Sequence, residues 1–280
     1  MPRRADRNAR RVFVVGAGKV GTALARELRS RGVRTTLRAA RRPLPRAIDA
    51  DVVVLAVRDR ELPALAARLV GVVSRRSVVV HVAGALDAET LAPLRGACAG
   101  VAQMHPMIAF ACKERNPRLD RGNVHVQGDR LAVARARALA RILGMVPRTI
   151  PGLDTVAYHA AAGLVANGAA ALAAVGAELL VRAGVDRAVA ARMLGPLLRS
   201  VADNVEALGF PGALTGPVRR GDVAGLERHL AVLQSKLRSA VPLFIAAAEA
   251  QLPLARAIGD APSASFRAIQ SALERSRAGR

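Results

Sequence analysis

The sequence predicts an α/β fold, a doubly wound parallel sheet in the first half followed by an all-helical second half. Three observations predict it. Short β-branched runs alternate with helical stretches from Arg11 to Ile150, a glycine-rich turn closes the first of those runs, and the strand signals stop after Pro151-Gly152. A chain of 280 residues is long enough to bury two modest cores. The expected organisation is a disordered basic tail over 1–10, a sheet domain over 11–151 and a helical domain over 152–280.

Each element has its own signal. Val12–Val15, Val52–Ala56 and Val78–Val82 are near-continuous apolar runs, the pattern of parallel strands covered on both faces. Arg34–Leu37, Ala102–Met104, Val124–Val126 and Val146–Thr149 are shorter strand candidates bounded by glycine, proline or polar residues. Between them, Val20–Arg31, Leu62–Leu69, Ala88–Leu94 and Leu131–Leu143 carry helical periodicity. The second half reads as helices near Leu153–Ala183, Arg187–Leu208 and Asp222–Ser235, with one or two more up to Arg277.

Composition narrows the function classes. Hydrophobic residues make up 52% and aromatic residues 2%, so the core is expected to be aliphatic and helix-rich. A net charge of +22 attracts polyanions in general. The arginines are spread along the whole chain and are not interleaved with aromatic residues, so no stacking platform points to nucleic acid. Cys98 and Cys112 have neither metal-ligand spacing nor the spacing of a redox pair, and no metal is expected. The opening MPRRADRNARR lacks the apolar core of a secretory signal. Ala160–Val181 is apolar but alanine-rich and interrupted by Asn167 and Glu178, so a buried helix is expected there and not a membrane span. A cytoplasmic protein is the resulting expectation.

The most informative motif follows the first strand. Gly16-Ala17-Gly18-Lys19-Val20-Gly21 is a Gly-x-Gly-x-x-Gly turn between a hydrophobic strand and an amphipathic helix, the setting of a Rossmann-type dinucleotide site. The first glycine permits the turn, the second lets a pyrophosphate approach the backbone, and the third allows close helix packing. An NAD site places an acid about 20 residues on, to accept from the ribose 2′-hydroxyl. No acid occurs between Glu27 and Asp49, and Arg38, Arg41 and Arg42 stand there instead, with forked donors suited to a 2′-phosphate. NADP is therefore expected over NAD. Val57 and Arg58, at the end of the third strand, are further candidates for cofactor contact.

The chain resembles the superfamily of 6-phosphogluconate dehydrogenase, prephenate dehydrogenase and pyrroline-5-carboxylate reductase, through Asp51-Val-Val-Val-Leu-Ala-Val57 and the helical second half. Within it, the chain is similar to a bacterial Rossmann-like family of unknown function. The residues that carry this likeness are His81-x-x-Gly84-Ala-Leu, His105-Pro106, Tyr158-His159-x-Ala161, Asn167 and Ala213-Leu-Thr-Gly-Pro217-x-x-Arg220-Gly-Asp222. The resemblance implies an NADP-type oxidoreductase whose helical domain forms a homodimer, and it adds Gly84 to the cofactor-binding residues. It names no substrate. If Asn167 answers to the asparagine of the Lys-x-x-x-Asn pair in hydroxyacid dehydrogenases of the superfamily, Gly163 occupies the lysine position. That departure weighs against a 3-hydroxyacid dehydrogenase.

Hydride transfer to a carbonyl or imine needs a proton donor, and histidine suits neutral pH. His105 follows the fifth strand at the sheet's carboxyl edge, where open α/β folds bind ligands. His159 begins a long helix and shares one broad side of it with Asn167, about 12 Å further on. Either histidine can be the donor or a hydrogen-bonded structural group. His81, His125 and His229 read as structural or surface residues. Thr215 and Arg220 lie in a loop that is either a plain interhelical turn, with Asp222 as the next helix cap, or a source of donors for an anionic substrate group. Asn204 is a further polar candidate in an apolar helix. The function expected is an NADP-dependent oxidoreductase acting on a small carbonyl or imine; the alternative is a non-catalytic dinucleotide-binding regulator or scaffold.

Overall fold

The structure is a computed structural model that describes residues 10–278; the expected basic tail, Arg10 apart, lies outside them. Seven strands form one sheet: β1 (Arg11–Val15), β2 (Arg34–Arg38), β3 (Val52–Leu55), β4 (Val78–His81), β5 (Gly100–Pro106), β6 (Asn123–Gly128) and β7 (Val146–Arg148), in the spatial order β2-β1-β3-β4-β5-β6-β7. Strands β1 to β5 pair in parallel. The sheet reverses between β1 and its neighbours β2 and β3, the switch point of a doubly wound fold.

One strand departs from the all-parallel expectation. β6 pairs antiparallel with β5, in register Gln103↔Gln127 and His105↔His125, and β7 then runs parallel to β6. Residues 107–122 supply no helix between β5 and β6. A chain that returns without a crossover helix lies down antiparallel.

The apolar runs explain the layering. Val12, Val14, Val52, Val54, Val78 and Val80 face α1 (Lys19–Ser30) and α3 (Arg130–Ile142), with Leu24, Leu28, Ala136 and Leu139 beneath them. Val15, Val53, Leu55 and Val79 point the other way, onto Leu62, Leu65 and Leu69 of α2 (Leu62–Leu69) and onto Leu91 and Leu94. With both faces covered, every residue of β3 and β4 is buried, and alternation disappears from their sequence. Ala88–Leu94 is a 3-10 helix and not an α-helix, with Asp87 capping its start and Pro93 inside it.

The rest of the chain is helical: α4 (Thr155–Arg182), α5 (Arg187–Leu208), α6 (Val223–Lys236), α7 (Val241–Ile258) and α8 (Ser263–Ala278). The chain divides into two compact units after Ala166, so the first turns of α4 belong with the sheet. In the second unit, Leu226, Leu230 and Leu233 of α6 meet Ile245 and Leu252 of α7 and Phe266, Ile269 and Leu273 of α8 in one aliphatic core. Asp186 caps α5, Asp222 caps α6 by accepting from the Gly225 N–H at 2.8 Å, and α7 ends on the left-handed Gly259.

The expectation of a buried helix over 160–181 is corrected: none of the residues of α4 is fully buried. Its composition is apolar around its whole circumference, and a helix of that kind has no polar face to turn outward. Two helical segments, Thr155–Arg182 and Arg238–Ile258, are long and apolar enough to cross a membrane by length and composition.

Candidate functional site

The glycine turn between β1 and α1 is built as the motif requires. Gly16 sits at φ +115°, and a Cβ there would run into the backbone carbonyl of Ala56 at the end of β3. Gly21 packs just as closely, against the Gly16 carbonyl. Gly18 differs: it precedes the first turn of α1, and a Cβ there would meet no atom within 4 Å. Its bare backbone opens onto space next to helix N–H groups that have no acceptor within the helix. Lys19 and Val20 follow in that first turn, and Ala17 stands between Gly16 and the bend at Gly18. This arrangement fits a pyrophosphate, held by N–H donors and the positive end of the helix dipole.

The arginines after β2 do different work from one another. Arg38 donates from Nε to the Pro43 carbonyl at 2.6 Å, and its own carbonyl accepts from the Gly16 N–H at 2.8 Å. It therefore ties the post-β2 turn together and anchors the glycine turn. Arg41 and Arg42 are exposed. Arg41 and Val57 line the same open groove, of about 490 Å³, against α2. Arg58 is exposed at the start of a 3-10 turn, Asp59–Glu61.

The carboxyl edge of β4 and β5 carries a second cluster. Gln103 of β5 donates its amide to the carbonyls of Ala83 at 2.9 Å and Gly84 at 3.3 Å, and accepts from Gln127 of β6 at 2.9 Å. It thereby fixes the loop after β4. His81 accepts at Nδ1 from the Ala83 N–H, so its Nε2–H donates to the Asp87 carbonyl at 2.8 Å. That ring is structural, as expected for it, and burial pushes its pKa down.

Gly84 lies under two imidazoles. A methyl group on it would stand 2.8 Å from Nε2 of His105 and closer still to Nδ1 of His159. The His105 and His159 rings meet edge to face with centroids 5.4 Å apart. Nδ1 of His105 lies 3.4 Å from the Tyr158 hydroxyl. Burial, then the neighbouring His159, His125 and His81, pushes the pKa of His105 down to about 4, so the ring is neutral at pH 7. His159 is exposed. His125, opposite His105 in β6, is buried with no hydrogen-bond partner for either ring nitrogen among the described residues, and Tyr158 packs on it at 5.6 Å.

The structure thus brings Gly84, His105 and His159 together, and Arg41 with Val57. Asn167 is exposed two turns beyond His159 on α4. In the second unit, Thr215 and Arg220 are exposed in the loop after α5, without a side-chain partner among the described residues; Arg219 instead holds that loop, reaching Asp260 at 2.7 Å and the Leu214 carbonyl at 2.8 Å. Gln103, His125 and Tyr158 were not singled out for a role in the site. The available signal was the polar alternation Gln103-x-His105 within an otherwise apolar strand.

Comparison with known proteins bears on this arrangement. Residues 123–251 match the family described as Domain of unknown function (DUF2520). No curated protein matches. Among solved structures, a Bacteroides fragilis protein provisionally described as an NADP oxidoreductase is similar at 21% identity and a TM-score of 0.68, covering 87% of this chain and 98% of its own. A Thermotoga maritima protein is similar at 22% identity and TM-score 0.64, covering 88% and 98%. The pyrroline carboxylate reductase of Plasmodium falciparum, solved with NADP bound, is similar at 12% identity and TM-score 0.57, covering 97% and 98%. At these identities the likeness is one of fold: a Rossmann-like sheet followed by a helical region.

Proposed function

We propose that the protein is an NADP-dependent oxidoreductase that reduces a small carbonyl or imine substrate. The observation that carries the proposal is the glycine turn, with Gly16 and Gly21 closed against backbone and Gly18 open at the helix N-terminus. Two structures of like fold, described as an NADP oxidoreductase and as a reductase with NADP bound, support the same reading.

In this proposal Gly16 to Gly21 hold the pyrophosphate, and Arg41 and Arg42 meet the 2′-phosphate. The bound nicotinamide supplies a hydride. His105 is buried and neutral, so it acts as a hydrogen-bond donor that polarises the substrate's acceptor atom, and the exposed His159 delivers the proton. Gly84 keeps the space beside both rings clear.

Calorimetric titration of NADPH and NADH tests the cofactor assignment. NADPH is expected to bind, and an Arg41→Ala, Arg42→Ala variant to lose NADPH affinity with little change towards NADH. Binding of neither nucleotide overturns the proposal. A non-catalytic dinucleotide-binding protein is the second reading; it is favoured if Asn167 answers to the asparagine of the Lys-x-x-x-Asn pair in the resembled superfamily, because Gly163 then stands where the lysine would. Transfer of deuterium from C4-labelled NADPH to any member of a carbonyl and imine panel decides between the two.

A further inference from the structure

Some arginines of the sheet unit are tied to carboxylates or carbonyls: Arg11 to Asp49, Arg31 to Glu27 and Asp120, Arg95 to Glu89 and Asp129, Arg135 to the Asp51 and Arg76 carbonyls. Three that share one groove are not. Arg41 after β2, Arg60 in the 3-10 turn after β3, and Arg68 in the last turn of α2 all line the groove of about 490 Å³, and none has a side-chain partner among the described residues. Glu61, Ala64, Leu65 and Arg68 follow one another at helical spacings of three, four and seven, which puts them on one face. Val57, Ala64 and Leu65 give the same groove an apolar share of its lining.

The groove's charge is also specific. Three guanidinium groups against the one carboxylate of Glu61 leave two positive charges, and a phosphate monoester carries about −1.5 to −2 at pH 7. An apolar lining beside forked planar cations suits a purine ring joined to a phosphate, because guanidinium both pairs with phosphate and stacks on an aromatic face.

The geometry points to this groove as the seat of an adenosine 2′-phosphate, with Arg60 and Arg68 as specificity-determining residues beside Arg41. The inference rests on the cofactor proposed above, and it assigns the discrimination between the two nicotinamide dinucleotides to the helix after β3 as well as to the turn after β2. Arg38 has a smaller part in it, since its Nε is spent on the Pro43 carbonyl. Glu61 faces the same groove as an acceptor for the purine's exocyclic amine, and its charge keeps loose anions from settling there.

The test uses fragments that lack the nicotinamide. 2′,5′-ADP, 3′,5′-ADP, 5′-AMP and inorganic phosphate are titrated into the full chain and into Arg60→Ala, Arg68→Ala and Arg68→Lys variants, with circular dichroism to check each fold. The expected result is that 2′,5′-ADP binds at least tenfold more tightly than 5′-AMP. Each alanine variant is expected to remove about tenfold of that preference, and lysine to restore part of it. Equal binding of 3′,5′-ADP or of inorganic phosphate would show a general anion groove and overturn the inference. So would NADPH binding that is unchanged in both alanine variants, an outcome that leaves the proposed function standing. Failure of NADPH and NADH alike removes the proposed function and this inference together.

Discussion

His105 is held neutral in a place where its charged form is disfavoured, and that makes it a contributor to pH-dependent stability. Its folded pKa is about 4 against an ordinary 6.5, so between those values the unfolded chain binds the extra proton. Its contribution is complete above about pH 6.5 and is lost as pH falls towards 4, about 3 kcal/mol in all. His81 and His125 are shifted in the same direction by burial. His105→Gln is therefore expected to unfold less steeply than the parent as pH drops from 6.5 to 4, measured by urea midpoints at half-unit steps. A parallel pair of curves would remove the assignment. His105 itself was legible because it stands beside proline at the carboxyl end of an apolar run, although it lies within β5 and not after it as expected. The residues that set its state were not: Tyr158 is 53 positions away and His125 reaches it only through strand pairing. Local spacing carries no information about such contacts. Arg60 and Arg68 escaped notice for a related reason, since one arginine among many has no local mark of being unpaired.

At the scale of elements, caps and runs carried most of the fold. β3 and β4 were legible as unbroken β-branched runs, and α5 was bracketed by Asp186 at its start and Gly209 just past its end. Asp222, half-buried, caps α6 through the Gly225 N–H. Asp222→Ala is expected to lower stability by about 1 kcal/mol, read by thermal or urea unfolding, with the helical signal of the native state unchanged. The orientation of β6 was less legible because direction depends on what the connection does and not on the strand's own residues. The 3-10 form of 88–94 was hidden in the same way, since its spacing of apolar residues serves either helix type.

For the whole molecule, the outstanding fact is how much apolar surface the helical part leaves in water. Leu197 is 57% exposed, and Met193, Val201 and Leu208 on α5 and Phe210 after it are exposed as well. Met193, Leu197 and Val201 recur every four residues and so share one side of α5, and an exposed apolar face of that kind is normally covered. We propose that a second copy of the chain covers it, forming a homodimer through the helical unit. Sedimentation velocity is expected to show a dimer for the parent, and Leu197→Glu with Val201→Glu to give a monomer that keeps its helical content. A monomeric parent would overturn this. The net charge of +22 works at the same scale, attracting anions in general from a distance in a salt-dependent way.

The antiparallel strand β6 has one more consequence. The stretch matching DUF2520 begins at residue 123, the first residue of β6, and stops at 251, inside α7. Cut out at those points, β6 would lose the ladder it shares with β5 and show a raw edge to solvent. At the other end, Leu252 and all of α8 would be gone, taking Phe266, Ile269 and Leu273 out of the core they complete. The matched segment thus coincides with neither compact unit, and its borders cut across the sheet and across the helical core.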